Sequence, residues 1–189
     1  STGFAGLFLV GLFARLEGET IRSLSLTDVH IEHAGFGAPG VGGLAAGTSG
    51  TEVTLVRDVV MTGVVKDIAT SNDVNEIGGM FGYADGPTRI ERSHILVEVR
   101  GEDDIGGVVG RSSSTLTLTN VRVDGVPRGN ENVGGAVGRS SSTLTLTNVD
   151  RDGNTDGEEF LGGLLGSADG GVVSLSGIRV LDGEVNNGD

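Results

Sequence analysis

The sequence predicts an all-β fold, a parallel β-solenoid (β-helix) of about six coils with a repeat of about 28 residues, and three observations carry that reading. Gly106-Gly107, Gly134-Gly135 and Gly162-Gly163 follow one another at intervals of 28 residues. The two middle units are near copies: Ile105-Gly-Gly-Val-Val-Gly-Arg-Ser-Ser-Ser-Thr-Leu-Thr-Leu-Thr-Asn-Val121 returns as Val133-Gly-Gly-Ala-Val-Gly-Arg-Ser-Ser-Ser-Thr-Leu-Thr-Leu-Thr-Asn-Val149. Thr115-Leu-Thr-Leu-Thr119 and Val121-Arg-Val123 alternate with the period of a strand, and helical periodicity is absent. A β-sandwich would leave the constant interval and the identical turns unexplained.

The coils follow in order along one domain, 1–189. Coil one (1–37) opens on Gly11-Leu12-Phe13; coil two (38–73) carries Gly42-Gly43 and coil three (74–101) Gly78-Gly79. Coils four (102–129) and five (130–157) are the near copies, and coil six (158–189) begins at Gly162-Gly163. Each has an apolar residue, the glycines, two apolar residues, a small or polar turn, an alternating Ser/Thr and Leu segment, a turn former and an alternating Val segment. Gly permits positive φ and close approach of another chain, so the pairs are expected to shape the coil.

Aligned coil on coil, the turn position reads Asp28, Asp58, His94, Asn120, Asn148 and Gly177, residues that favour corners. The next position reads Val29, Val59, Ile95, Val121, Val149 and Ile178, a β-branched column suited to an inward ladder. Two residues on come Ile31, Met61, Val97, Val123, Arg151 and Val180. Burying an unpaired guanidinium is costly, so coil five is expected to break or bulge at Arg151. Outward, Arg122, Asp150 and Arg179 alternate in sign and predict a surface charge ladder. Parallel crossovers are usually right-handed, and the same hand is expected here.

Gly makes up 35 of 189 residues and Pro only 3, which supplies turns without a proline-rich or collagen-like pattern. With 37% hydrophobic and only 4% aromatic residues, the expected core is narrow and filled by Val, Leu and Ile. There is no Cys, hence no disulfide framework or thiolate metal site. The longest apolar run, Phe4 to Ala14, is shorter than the roughly 20 residues of a membrane helix, so a soluble chain is expected. The chain opens without Met and without a signal-peptide pattern, as expected of a piece trimmed from a longer protein. A net charge of −13, with Lys66 the single lysine, disfavours nucleic acid and anionic lipid, which need clustered cations.

Val-Gly-Gly-Ala-Val-Gly, Leu-Gly-Gly-Leu-Leu-Gly and Ile-Gly-Gly-Met-Phe-Gly, with the opening Gly11-Leu-Phe and Thr20-Ile-Arg-Ser-Leu-Ser-Leu-Thr-Asp-Val29, resemble the GLUG repeats of bacterial and archaeal surface adhesin-like proteins. Over most of the chain, the resemblance implies an extracellular β-helical spacer or binding module, found also beside some IgA-specific metallopeptidases. It transfers no catalytic residue.

Candidate sites follow from spacing. Asn148-Val-Asp-Arg-Asp-Gly-Asn-Thr-Asp-Gly-Glu-Glu159 reads as a twelve-residue calcium loop, with Asn148, Asp150, Asp152, Asn154, Asp156 and Glu159 as ligands and Gly153 at the sharp turn; a solvated acidic loop is the other reading. After each glycine pair, Leu12, Leu44, Met80, Val108, Ala136 and Leu164 form one column, and Phe13, Ala45, Phe81, Val109, Val137 and Leu165 another. Either a bend buries both, or Leu12, Leu44, Met80, Val108 and Leu164 form an exposed interface stripe. The grid of Thr115, Thr117, Thr119, Thr143, Thr145 and Thr147 suits an exposed strand surface and only remotely an ice-binding face, since Arg57, Arg89, Glu91 and Arg92 interrupt it.

Catalysis has little support: His30, His33 and His94 lack metal-site spacing, and His30 and His33 are expected in an exposed turn. The expected function is a non-catalytic extracellular module of a cell-surface adhesin or filament, with other copies or neighbouring repeats, a glycan or a host surface as partners and no membrane insertion. A carbohydrate-binding or polysaccharide-degrading β-helix using Asp28 or Asp58, or an accessory solenoid of a secreted peptidase, is the alternative. Apolar Gly3–Val10 is expected to cover its own first coil or a neighbouring molecule, giving self-association by end stacking or strand exchange.

Overall fold

In the computed structural model, residues 9–34, 40–68 and 76–187 are described. They form a parallel β-solenoid whose coils contribute to three faces. The first face stacks Leu9–Val10, Gly40–Gly42, Ile77–Gly78, Asp103–Gly106 and Glu131–Gly134. The second stacks Phe13–Leu16, Ala45–Thr48, Phe81–Ala84, Val109–Ser112, Val137–Ser140 and Leu165–Ala168. The third is the longest, with strands of up to 14 residues such as Thr20–His33 and Thr54–Asp67. Every pairing among the described strands is parallel, each strand lying on its counterpart in the next coil.

The near-copy coils sit in the expected register, with Leu118 on Leu146, Thr119 on Thr147 and Val121 on Val149. Coils one and three differ from the sequence alignment. Val121 pairs with Ser93 and Arg122 with His94, so Arg92, not His94, occupies the corner beside Asn120. Leu24, not Val29, pairs with Val59, which places Ser23 beside Asp58. Backbone dihedrals agree: Ser23, Asp58, Arg92, Asn120, Asn148 and Gly177 all have positive φ, the left-handed corner that turns the third face. Asp28 also has positive φ, but at a separate register shift between Leu26 and Val29, where its amide donates to Thr62 Oγ1 at 3.1 Å.

The core runs along the axis through fully buried Val56, Ile90, Leu118 and Leu146 on the third face and Ile77, Ile105 and Val133 on the first. Ser93, standing where its neighbours carry Val, satisfies its buried hydroxyl by donating to Glu91 O at 2.8 Å and accepting from Val59 N at 3.2 Å. Each glycine pair makes the bend between first and second faces. A Cβ on Gly79 or Gly107 would meet the carbonyl of the corresponding glycine one coil on, which forbids any larger residue there.

The bend buries both apolar columns. Leu44, Met80, Val108 and Ala136 are as inaccessible as Ala45, Phe81, Val109 and Val137. The exposed stripe is therefore not formed: three of its five residues lie in the core, Leu164 is half-buried, and only Leu12 is well exposed, at 55%. Leu12 also leaves the column, because coil one spends one residue fewer between Val10 and Phe13 than coil two spends between Val41 and Ala45.

Arg151 corrects a second expectation. Coil five neither breaks nor bulges there: the strand Leu144–Arg151 is continuous, with Arg151 in register between Val123 and Val180. Its guanidinium is enclosed and donates to the backbone carbonyls of Asp152 and, at 2.8 Å, Asn154. The turn that follows the strand thus closes over the charge. Burial pushes the guanidinium below its ordinary pKa, against the opposing pull of Asp152 and Asp124.

Candidate functional site

The corner column lines an open polar feature. Asn120, Asn148 and Gly177 on one side, and Arg122, Asp150 and Arg179 on the other, line a shallow cleft of about 400 Å³ that crosses three coils. Left-handed φ at each corner explains the Asn and Gly there, since their side chains tolerate it at least cost. Asn148 Nδ2 donates to Asn120 Oδ1 at 3.0 Å, an amide bond parallel to the axis. Arg179 pairs with Asp150, its Nε donating at 2.7 Å, and this hydrogen bond holds the Asp150 carboxyl below the usual range. The same corner in coils two and three is an ion pair, Arg92 with Asp58 at 2.8 and 2.9 Å, which lowers Asp58 likewise. The cleft thus presents amide, guanidinium and ionised carboxylate groups able to hydrogen-bond a hydroxyl-rich ligand.

The six expected calcium ligands are not brought together. Asn148 and Asp150 lie on the strand Leu144–Arg151, and Asp156 lies beyond the turn on Thr155–Gly157. Asp152 stands 3.7 Å from Arg122, Asn154 Oδ1 accepts from Glu184 N at 3.1 Å, and Asp156 pairs with Arg128 at 3.2 Å. Glu159 is exposed beside Glu131 on the first face. Among the described residues no group of three His, Asp or Glu side chains is placed to hold a metal. The expected charge ladder is present in part, Asp150 pairing with Arg179 while Arg122 turns to Asp124 at 2.7 Å.

The threonine grid is in register across coils four and five, Thr117 on Thr145 and Thr119 on Thr147, and continues as Ser174 and Ser176. In coil three its places are taken by Arg89 and Glu91, which pair with each other. His30 is exposed, 3.7 Å from Glu32. His33, in contrast to the expected turn, is buried at the strand end and hydrogen-bonds Asp67 at 3.1 Å. His94 faces outward and contacts Asp124 at 2.6 Å. Asp28 and Asp58 stand at different corners of the third face, so they form no catalytic pair.

A second polar cluster gave no sequence signal. Where the first and second faces meet, Arg111 reaches back one coil to Glu76 at 2.9 Å, while Arg139 attracts Asp104 and pairs with Asp169. Tyr83 lies against Gly40 and Gly47, with no room for a Cβ at either. Asp104 is only 4% exposed, has positive φ and leaves Oδ1 without a hydrogen-bond partner. Burial pushes its carboxyl up to about 6, opposed chiefly by Arg139. Burial also raises Glu76 despite its bond to Arg111.

The last coil differs from all of these. Leu175, Val180 and Val185 continue the inward columns of Leu146, Arg151 and Thr155, yet they are about half exposed. In coil one Ile21, Leu24, Leu26 and Ile31 are only partly buried, and an apolar cleft of about 290 Å³ opens among Leu12, Leu26, Val29 and Ile31. Of the segment Gly3–Val10, residues 3–8 lie outside the described residues, while Leu9–Val10 pairs with Gly40–Val41.

Comparison with family models, with curated proteins and with solved structures returns no match for this chain. The functional reading therefore rests on the residues and their geometry.

Proposed function

We propose that this chain is a non-catalytic repeat module of a cell-surface adhesin or surface filament, a rod that holds a binding surface away from its anchor. The observation that carries this reading is the parallel stacking of coil on coil, from Thr20 on Leu55 to Leu146 on Leu175. Such a stack is stabilised by neighbour contacts alone, so its length scales with coil number while its cross-section stays fixed. The GLUG-like glycine pairs support it by their role, since each lets one coil lie close on the next at the bend between the first and second faces. The acidic surface suits an exposed, soluble module, and the corner cleft beside Asn120 and Asn148 is the surface to which a glycan would bind.

Antibodies raised against this chain test the reading on intact cells of the source organism. Labelling before permeabilisation is expected, and labelling confined to permeabilised cells would sink it. A glycan array probed with the chain and with Asn148→Ala then tests the cleft. Turnover of an acidic polysaccharide, abolished by Asp58→Asn, would favour the degrading β-helix instead.

A further inference from the structure

We infer that Arg139 is a two-position switch, paired with Asp169 when Asp104 is protonated and drawn back to Asp104 when that carboxyl ionises, so that pH sets how firmly the corner at residues 169–171 is fastened to coil five. This goes beyond the rod reading and rests on the fold alone. Three observations carry it.

The first is a break in a repeated contact. Arg111 and Arg139 are in register on the second face, as Ile77 and Ile105 are on the first. Glu76 therefore stands to Arg111 as Asp104 stands to Arg139, with 35 residues between the partners in each case. Arg111 makes that reach and donates to Glu76 at 2.9 Å. Arg139 does not: its Nε donates to Asp169, one coil ahead. The two coils differ at a place that explains the choice. Asp169 N bonds Ser140 O at 2.8 Å just as Ser141 N bonds Ser112 O at 2.9 Å, so the position ahead of Arg111 carries a serine where that ahead of Arg139 carries a carboxylate.

The second is the state of Asp104. It is 4% exposed, and its Oδ1 has no hydrogen-bond partner. It faces Glu76 and Asn132 in the coils before and after it on the first face, and Arg111 and Arg139 from the second. Arg111 is held by Glu76, which leaves Arg139 as the cation able to answer an ionised Asp104. A neutral carboxyl is tolerated in such a place, whereas an ionised one lacking hydrogen bonds is costly there. The contacts seen, with Arg139 turned forward, are those that suit the protonated form. Burial pushes the carboxyl up to about 6, with Arg139 chief among the groups pulling it down, so the exchange is centred near that pH.

The third is room to move. The Arg139 side chain is 42% exposed, so its guanidinium turns through solvent without unpacking the core. Asp169 leads into Gly170 and Gly171, both at positive φ, and is tied to coil five by its amide on Ser140 and by the Arg139 pair. Loss of the pair leaves the amide. One guanidinium between two carboxylates is a bistable element, and the protonation of Asp104 biases it.

Double-mutant cycles in urea unfolding read the two partnerships separately. Arg139→Gln is combined with Asp169→Asn and with Asp104→Asn, each at pH 5 and at pH 8. At pH 5 a coupling of about fivefold in the unfolding constant is expected with Asp169 and none with Asp104. At pH 8 the coupling with Asp104 is expected to be about fivefold and that with Asp169 below about twofold. Hydrogen exchange at the Asp169 amide gives a readout that packing alone would not move. Its protection, corrected for the intrinsic rate, is expected to fall about fivefold from pH 5 to pH 8 in the parent and to stay constant in Asp104→Asn. That variant is expected to fold, since coil five carries Asn132 in the same place at the same positive φ. Couplings equal at the two pH values overturn the inference, as does an Asp104→Asn chain whose Asp169 amide still responds to pH. Either failure leaves the cell-surface labelling result standing, so the two readings are separable.

Discussion

Arg151 stacks directly on Val123, a guanidinium in a column of the third face that is otherwise apolar. Its stem completes the core, and its head is spent on the Asp152 and Asn154 carbonyls of the turn that closes coil five. Charge and turn are therefore a single unit.

Arg151→Ala removes both stem and head and is expected to cost about 3 kcal/mol, as for a truncated core side chain. Arg151→Met keeps the volume without the charge, and buried ions replaced in this way are often neutral, so a change within about 1 kcal/mol is expected. Urea unfolding of the two variants checks the pair; equal losses would show that the charge itself, not the packing, matters.

Asp104 sets a pH dependence. Its pKa in the fold, about 6, lies above the ordinary 3.8, so its contribution to stability is full below about pH 4 and lost as pH rises through 6. Asp104→Asn copies Asn132, its partner in coil five, which has the same positive φ. The variant is expected to be more stable than the parent by about 2 kcal/mol at pH 7.5, with the gap shrinking towards zero at pH 4. Denaturant midpoints at both pH values measure it, and a pH-independent gap would contradict the assignment.

Asn148 and Gly177 share a corner conformation. Asn148→Ala places an alanine at positive φ and deletes the amide bond to Asn120, for an expected loss of about 1–2 kcal/mol. Asn148→Gly loses only the amide bond and is expected to cost less than half as much. The comparison, made at high salt to silence Arg179 and Asp150, separates backbone strain from side-chain bonding.

The glycine pairs divide into constrained and unconstrained positions. Gly107→Ala drives a methyl into the Gly135 carbonyl and Val123, and is expected to cost at least about 3 kcal/mol, the upper range for overpacking. Gly163→Ala is expected to change the monomer's melting by less than a degree. Thermal unfolding of dilute protein reads both.

Calcium calorimetry at millimolar concentration is expected to give no heat, because Asp150 is held by Arg179 and Asp156 by Arg128. Measurable binding, lost in Asp152→Asn, would restore the loop reading.

Most of the fold was legible because coils four and five repeat nearly letter for letter, which fixes Val121 on Val149 without coordinates. Coil three was misread for a physical reason. Strand side chains repeat every two residues, so sliding coil three by two residues keeps Ile95 inward while putting His94 in place of Arg92. Only the left-handed φ of Arg92 and the buried hydroxyl of Ser93 reveal the true register, and neither residue is typical of its position. The fate of Leu44, Met80 and Val108 was not legible, because alternation cannot say that a glycine bend turns two successive residues to the same interior. The calcium spacing misled because a linear motif does not show that Asn148 takes a corner and Val149 to Arg151 then run on as strand. Asp104 and Arg139 meet only through the stagger between two faces, which no local pattern encodes.

That stagger has a mechanical consequence. Arg111 clasps Glu76 in the coil before it, and Gly110 rests on the backbone of Ile77 there. Each turn of the chain is thus the latch of its predecessor. An interior turn is thereby held in place by the one after it.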